Sequence, residues 1–133
     1  MGTFRQAVEN KDIDAVEALL ADDVVFHSPV AYKPYRGKAI TSAILRAVVE
    51  VFEDFHYVRE IQEGERHALV FAAKVDGLEI TGCDFLICDD EGRIVDFMVM
   101  VRPLKAAQAL AARMGERFPD IQAAAIAAAA RRR

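Results

Sequence analysis

The alternation of apolar and polar positions divides the chain into a helical first third, a strand-rich middle and a helical end. Residues 3–10 carry the pattern of a short helix, and Lys11-Asp12 supplies a turn. After Asp12, which is placed to cap, Ile13, Val16, Leu19 and Leu20 recur at helical spacing and predict a second helix ended by Asp22-Asp23. Residues 24–29 read as a short strand stopped by proline, with Val24, Phe26 and Ser28 on one face and Val25 and His27 on the other. Residues 30–37, which include Tyr32 and Tyr35, read as an ordered loop that can lie over the mouth of a cavity. Residues 38–52 form the clearest helix, with Ile40, Ile44, Ala47, Val48 and Val51 on one side.

Two strands follow at residues 55–62 and 67–75, and Asp76-Gly77 is a hairpin turn into the stretch around which the chain is organised, residues 78–103. There, two runs rich in β-branched and aromatic residues flank Asp89-Asp90-Glu91-Gly92, the pattern of a tight antiparallel hairpin, predicted as the centre of one sheet. Its first strand is apolar on both parities, so both faces should be covered. Asp84 breaks that pattern. A carboxylate sharing a face with Ile80, Gly82 and Leu86 must find donors, reach a polar cavity or keep its proton, because burying it ionised costs on the order of several kcal/mol. The second strand puts Val95, Phe97, Val99 and Val101 on a core face and Asp96, Met98, Met100 and Arg102 on the other. That second face, with Phe85, is too apolar at its middle for water and calls for a partner subunit, which predicts a homodimer through Phe85, Met98 and Met100. After Pro103, Leu104, Ala107, Leu110, Ala111 and Met114 make a helix that Pro119 should stop. The tail from Asp120 has high helix propensity but little apolar bulk, and is expected to fray.

Composition narrows the class. With 133 residues, 53% of them hydrophobic, the chain has room for one core. A net charge of −4 with scattered basic residues, apart from Arg131-Arg132-Arg133, argues against a nucleic-acid surface. The start, MGTFRQ, has neither the apolar run of a signal peptide nor a membrane span, so a cytoplasmic protein without membrane association is expected. Cys83 and Cys88 lie five apart in one strand, a poor disulfide geometry, and are read as reduced core residues. No close-spaced Cys or His pair offers metal ligands, and His56 and His67, near strand starts, are read as solvated.

The order of these elements, with DIDAVEALLADDVVFHSP, YRGKAI and CDDEGRI, resembles the nuclear transport factor 2-like superfamily, and within it the SnoaL-like polyketide cyclase branch. The resemblance implies an α+β, cone-shaped, cystatin-like fold: a curved antiparallel sheet wrapped around helices, with a C-terminal helical extension. One such domain would span residues 1–118, and an Ala-rich helical tail residues 119–133. It further implies a conical cavity, with Val24, Phe26, Ser28, Leu69, Phe71, Asp84, Leu86, Phe97, Val99 and Val101 turned towards it and Met98 and Met100 facing out. Ketosteroid isomerases, which are similar, place a general-base Asp where this chain has Ser28 and a tyrosine donor where it has Phe4. Only their protonated-carboxyl donor has a counterpart, at Asp84. With base and one donor missing, that isomerisation is rejected on the sequence. Epoxide hydrolases of the limonene-epoxide type need an Arg where this chain has Gly82.

The resemblance therefore implies a pocket without a cofactor that takes a compact, mainly apolar, carbonyl-bearing molecule. Asp84 and His27 are the candidate catalytic acid/base groups of a cyclase, isomerase or dehydratase, although alternation puts His27 opposite the cavity unless a bulge turns it inward. Phe26, Ser28, Tyr35, Tyr57, Phe71, Leu86, Phe97 and Val99 are the candidate ligand contacts. A non-catalytic carrier and a protein-interaction module on the sheet face are the alternatives. Two titratable groups facing each other in the cavity would favour turnover, and a single Asp would favour binding.

Overall fold

The computed structural model describes residues 2–131. Its elements run α1 (Gly2–Glu9), α2 (Ile13–Leu19), β1 (Leu20–His27), β2 (Tyr35–Arg36), α3 (Lys38–Val51), β3 (Glu53–Glu63), β4 (Arg66–Val75), β5 (Leu78–Cys88), β6 (Ile94–Arg102) and α4 (Leu104–Arg131). The six strands form one sheet in the order β2-β1-β6-β5-β4-β3, so the β5–β6 hairpin does lie at its centre. Neighbours are antiparallel except β1 and β6, which run parallel. Register shifts in β1/β6, twice in β3/β4 and in β5/β6 add the local twist that bends a sheet around a core.

Local chemistry accounts for the boundaries. The Asp12 carboxylate accepts the Ala15 N–H at 3.2 Å and caps α2. Asp76 and Gly77 have φ of 52° and 77°, the left-handed pair that a two-residue hairpin requires between β4 and β5. In the β5–β6 turn the Asp89 carboxylate accepts the N–H groups of Glu91 and Arg93, each at 2.9 Å.

The core lies between the inner sheet face and the helices, with Leu69, Phe71, Ile80, Leu86 and Phe97 contributed by the sheet and Phe4, Val16, Ile44 and Leu110 by the helices. Outside, Phe85 and Met100 are 40% and 55% exposed. No helix among the described residues is long and apolar enough to cross a membrane.

Four expectations are corrected. The second helix ends at Leu19, not at Asp22-Asp23, because Leu20 already pairs with Ile94 of β6 and the register shift before Val25 lets both aspartates face solvent within β1. Val95 is not a core position: the shift at the end of the β5–β6 ladder sets Ile94 opposite Cys88, and Ile94 is the buried residue. His67 is buried beside Leu69 on the inner face of β4, with its Nδ1 lacking a hydrogen-bond partner. Pro119 does not stop the last helix. A proline inside a helix costs about 3 kcal/mol, but α4 continues to Arg131 and buries Ile121 and Ala125, where α3 is the helix most in contact with it.

Gly82 of β5 shows how tightly the inner face is filled. A Cβ there would stand 2.2 Å from Cζ of Phe71 and 2.8 Å from the Met100 carbonyl oxygen. Gly82→Ala should therefore destabilise the fold by about 1–3 kcal/mol through overpacking, read as a lowered denaturant midpoint with an unchanged slope.

Candidate functional site

The helices do not fill the concave side of the sheet. They leave a cavity of about 280 Å³, a modest size for a small-molecule site. Its walls come from every layer: Phe4 and Val8 of α1, Ile13 and Val16 of α2, Ile44, Val48 and Val49 of α3, Phe71 and Phe97 of the sheet, and Leu110, Met114 and Phe118 of α4. The mouth can be located from exposure, because Val30 and Gly115 are the exposed residues among those lining the cavity. Beside it the Tyr35 and Phe118 rings meet at 5.9 Å. The Ser28 hydroxyl accepts the Val30 N–H at 3.1 Å and ties down the start of that loop.

Polar chemistry in the cavity centres on one pair. Asp84 projects inward from β5 and is 6% exposed. The Tyr57 phenol, 3% exposed on β3, donates a hydrogen bond to its Oδ2 at 2.6 Å. Among the described residues Oδ1 receives no hydrogen bond from the protein. Burial pushes the Asp84 carboxyl up from 3.8 to about 7, and the Tyr57 hydrogen bond, which favours the anion, opposes this. Burial first, and the Asp84 carboxylate second, raise the Tyr57 phenol well above its ordinary 10, so it keeps its proton.

Tyr57 is held in place by both backbone and ring. Its N–H donates to the Glu9 carboxylate at 2.9 Å, and its carbonyl accepts from the Arg5 guanidinium at 3.0 Å, two bonds from one face of α1. They fall where the β3/β4 register shifts between Tyr57 and Arg59, a place where a bulged strand leaves backbone groups unpaired. Phe55 and Phe71 present edges to the ring at 5.0 and 6.4 Å, and Phe4 lies 6.4 Å away at a tilt.

Phe26, Ser28, Tyr35, Tyr57, Phe71, Phe97, Val99 and Asp84 all line the cavity. Two expected site residues do not. Leu86 is buried in the core beyond the cavity wall, as are Val24 and Leu69. His27 lies on the opposite face of β1, as simple alternation requires, and its Nε2 is 3.0 Å from the Asp96 carboxylate. The irregularity in β1 comes before Val25, too early to turn His27 inward. Tyr32 is fully exposed and takes no part in the mouth, and Val101 is half-buried outside the lining. Among the described residues no three His, Cys, Asp or Glu side chains group as metal ligands.

Residues 2–97 match the SnoaL-like domain model. The chain is 42% identical to a solved steroid delta-isomerase from Pseudomonas aeruginosa, over 92% of this chain and 91% of that one, with a TM-score of 0.86. It is 35% identical to a protein with a cystatin-like fold from Silicibacter pomeroyi, over 92% of both chains, with a TM-score of 0.84. A SnoaL-like protein from Burkholderia thailandensis shares the fold at 16% identity and a TM-score of 0.65, over 77% of this chain and 90% of that one. No functionally curated protein matches the sequence.

Asp84 and His67 give stability opposite pH slopes. Between about pH 4 and pH 7 the folded chain keeps a proton on Asp84 that the unfolded chain has released, so stability falls as pH rises across that window. Burial holds His67 below its ordinary 6.5, so it costs stability as pH falls below that value, where only the unfolded chain takes up the proton. Asp84→Asn should remove the first limb and keep the second, so that its stability relative to wild type rises by on the order of 4 kcal/mol between pH 4 and pH 8. Urea unfolding at several pH values measures both.

Proposed function

The chain is a member of the SnoaL-like domain family, within the nuclear transport factor 2-like superfamily, and we propose that its apolar cavity takes a compact, mainly apolar carbonyl compound. Asp84 is the acid/base group of an isomerase, cyclase or dehydratase that needs no cofactor. The observation that carries this reading is the Tyr57–Asp84 pair at 2.6 Å in a cavity otherwise walled mainly by apolar side chains.

Asp84 near pH 7 is divided between two useful forms. The neutral carboxyl donates from its free Oδ1 to a ligand carbonyl and withdraws electron density from the carbon it serves. The carboxylate, held by Tyr57, accepts a proton from a carbon or hydroxyl of the ligand. Alternating between the two, a single group moves a proton from one ligand atom to another, or helps a hydroxyl leave as water. The description of the Pseudomonas aeruginosa relative as a steroid delta-isomerase weighs towards proton relocation. Ser28, where a base carboxylate was absent from the sequence, is occupied by its bond to Val30, so Asp84 does this work without a second carboxylate.

One observation favours a second reading, a non-catalytic carrier: among the described residues neither a histidine nor another carboxylate lines the cavity with Asp84. Turnover separates the two. On cyclic β,γ-unsaturated ketones, proton exchange or double-bond migration followed by NMR should be catalysed by wild type and lost by at least 100-fold in Asp84→Asn. Tyr57→Phe should lower the rate about tenfold and move its pH optimum upward, because the carboxylate loses its donor. Binding without turnover in every variant would establish the carrier.

Affinity itself should follow the proton. If the carbonyl accepts from neutral Asp84, ketone binding weakens about tenfold per pH unit above pH 7 and is flat below it. Calorimetric titration from pH 5 to pH 9 reads this slope, and Asp84→Asn should abolish it.

We also assign the outer sheet face around Phe85, Met98 and Met100 to a homodimer. The part exposure of Phe85 and Met100 in the middle of the central strands supports this. Met100→Glu should shift the mass measured by light scattering from dimer to monomer.

A further inference from the structure

Gly115 sits in the interior of α4, where glycine is the least favourable residue after proline. No left-handed backbone calls for it, and a Cβ built at this position meets nothing within 4 Å. On packing grounds a larger residue would fit and would strengthen the helix. Yet Gly115 lines the cavity and is exposed, as is Val30 on the loop before β2. The missing side chain is therefore an opening in the α4 wall.

The helix is pinned on both sides of this opening, so the gap does not depend on the helix swinging away. Arg113 pairs with Asp76 of the β4–β5 turn at 2.8 Å, and Arg117 pairs with Glu50 of α3 at 2.7 Å. Small Ala111, one turn before, continues the same face into the cavity. Asp84, with its free Oδ1, lines the same space.

We propose that Gly115 is the specificity-determining position of this pocket: the compact carbonyl-bearing head that meets Asp84 carries an apolar tail, and that tail leaves the cavity between Gly115 and Val30. The head assignment rests on the carbonyl reading above, but the tail passage does not. A side chain at position 115 shortens the longest ligand the pocket accepts, and the present chain is built for one longer than its closed volume.

Pro119 offers a competing reason for the glycine. Its ring crowds the carbonyl four residues earlier, which is that of Gly115, and it has no N–H to give it. The two explanations predict different results. If Gly115 only relieves Pro119, Gly115→Ala lowers the melting temperature in the native background but not in Pro119→Ala, and ligand length preference is unaffected. If it is an opening, Gly115→Ala raises the melting temperature in the native background, and larger residues act on ligand length.

The test is a calorimetric ladder of 4-n-alkylacetophenones, methyl to hexyl, run beside n-alkylbenzenes of matching length. In wild type each added methylene should tighten binding by roughly fourfold until the tail reaches water. Gly115→Leu and Gly115→Phe should break the ladder earlier, so that hexyl loses at least tenfold relative to methyl. Val30→Phe narrows the same opening from the loop and should do likewise, which keeps the test intact if a helix variant fails to fold. A ladder unchanged by these variants, a ladder already flat in wild type, or no binding in either series would overturn the proposal. Alkylbenzenes that climb the ladder while the ketones gain nothing over them would leave the tail passage standing and remove the carbonyl reading of Asp84.

Discussion

A carboxyl group carried into a cavity walled by phenylalanine and valine has to be held by something, and here the protein gives it one hydrogen bond, from the Tyr57 phenol. Two opposed effects meet at that bond, and burial is the larger. Burial penalises the anion more than the hydrogen bond favours it, and the net move from 3.8 to about 7 corresponds to roughly 4 kcal/mol at 1.36 kcal/mol per unit. A hydrogen bond to a charged acceptor returns about 1.5–3 kcal/mol. Without the phenol the acid would stay neutral well above physiological pH and could only donate. With several donors, as in a capped carboxylate, it would stay ionised and could only accept. One donor leaves it close to balance, and that balance is the basis for assigning it acid/base chemistry.

Much of the fold serves to keep that single donor in place. Tyr57 sits on β3, an edge strand, where a side chain would ordinarily have freedom. Here α1 grips its peptide through Arg5 and Glu9, and three aromatic rings surround its own. Phe71 in turn depends on Gly82, since any side chain at 82 would strike the Phe71 ring. The absence of an arginine at that position, which counted against epoxide hydrolysis in the sequence, thus has a packing cause as well. The site is supported by the first helix, the far edge of the sheet and the central strand together, which makes loss of any one felt at Asp84.

The sequence made the sheet and its centre legible because period-two alternation and turn residues report directly on local structure. Asp84 stood out for the same reason, as a polar break in a strand apolar on both parities. His27 was misjudged as a catalytic partner because the family resemblance asked for a histidine near the acid, whereas the alternation of β1 had already placed it outside, where Asp96 receives it. Tyr57 was seen only as a candidate contact. Its partnership with Asp84 spans 27 residues and two strands, and no local pattern encodes that distance. Pro119 and His67 failed differently: propensity and strand position favoured a stop and a solvated ring, and tertiary burial overrode both.

The matched family model ends at Phe97, before α4 begins, yet α4 supplies Leu110, Ala111, Met114, Gly115 and Phe118 to the cavity wall. The chemistry-bearing pair and the wall that decides what reaches it therefore come from different parts of the chain. Asp84 and Tyr57 lie on strands locked into the sheet by ladders on both sides or by α1, where substitution disturbs the core. The α4 residues lie on one stripe of a helix anchored by ion pairs that are exposed and individually weak, worth about 0–1 kcal/mol each. Of that stripe, Leu110 is buried in the core, whereas Gly115 faces open space, so position 115 can change side chain at small cost to packing. A pocket built in this way can keep one acid and change its ligand, with the helix setting selectivity and the sheet setting reactivity.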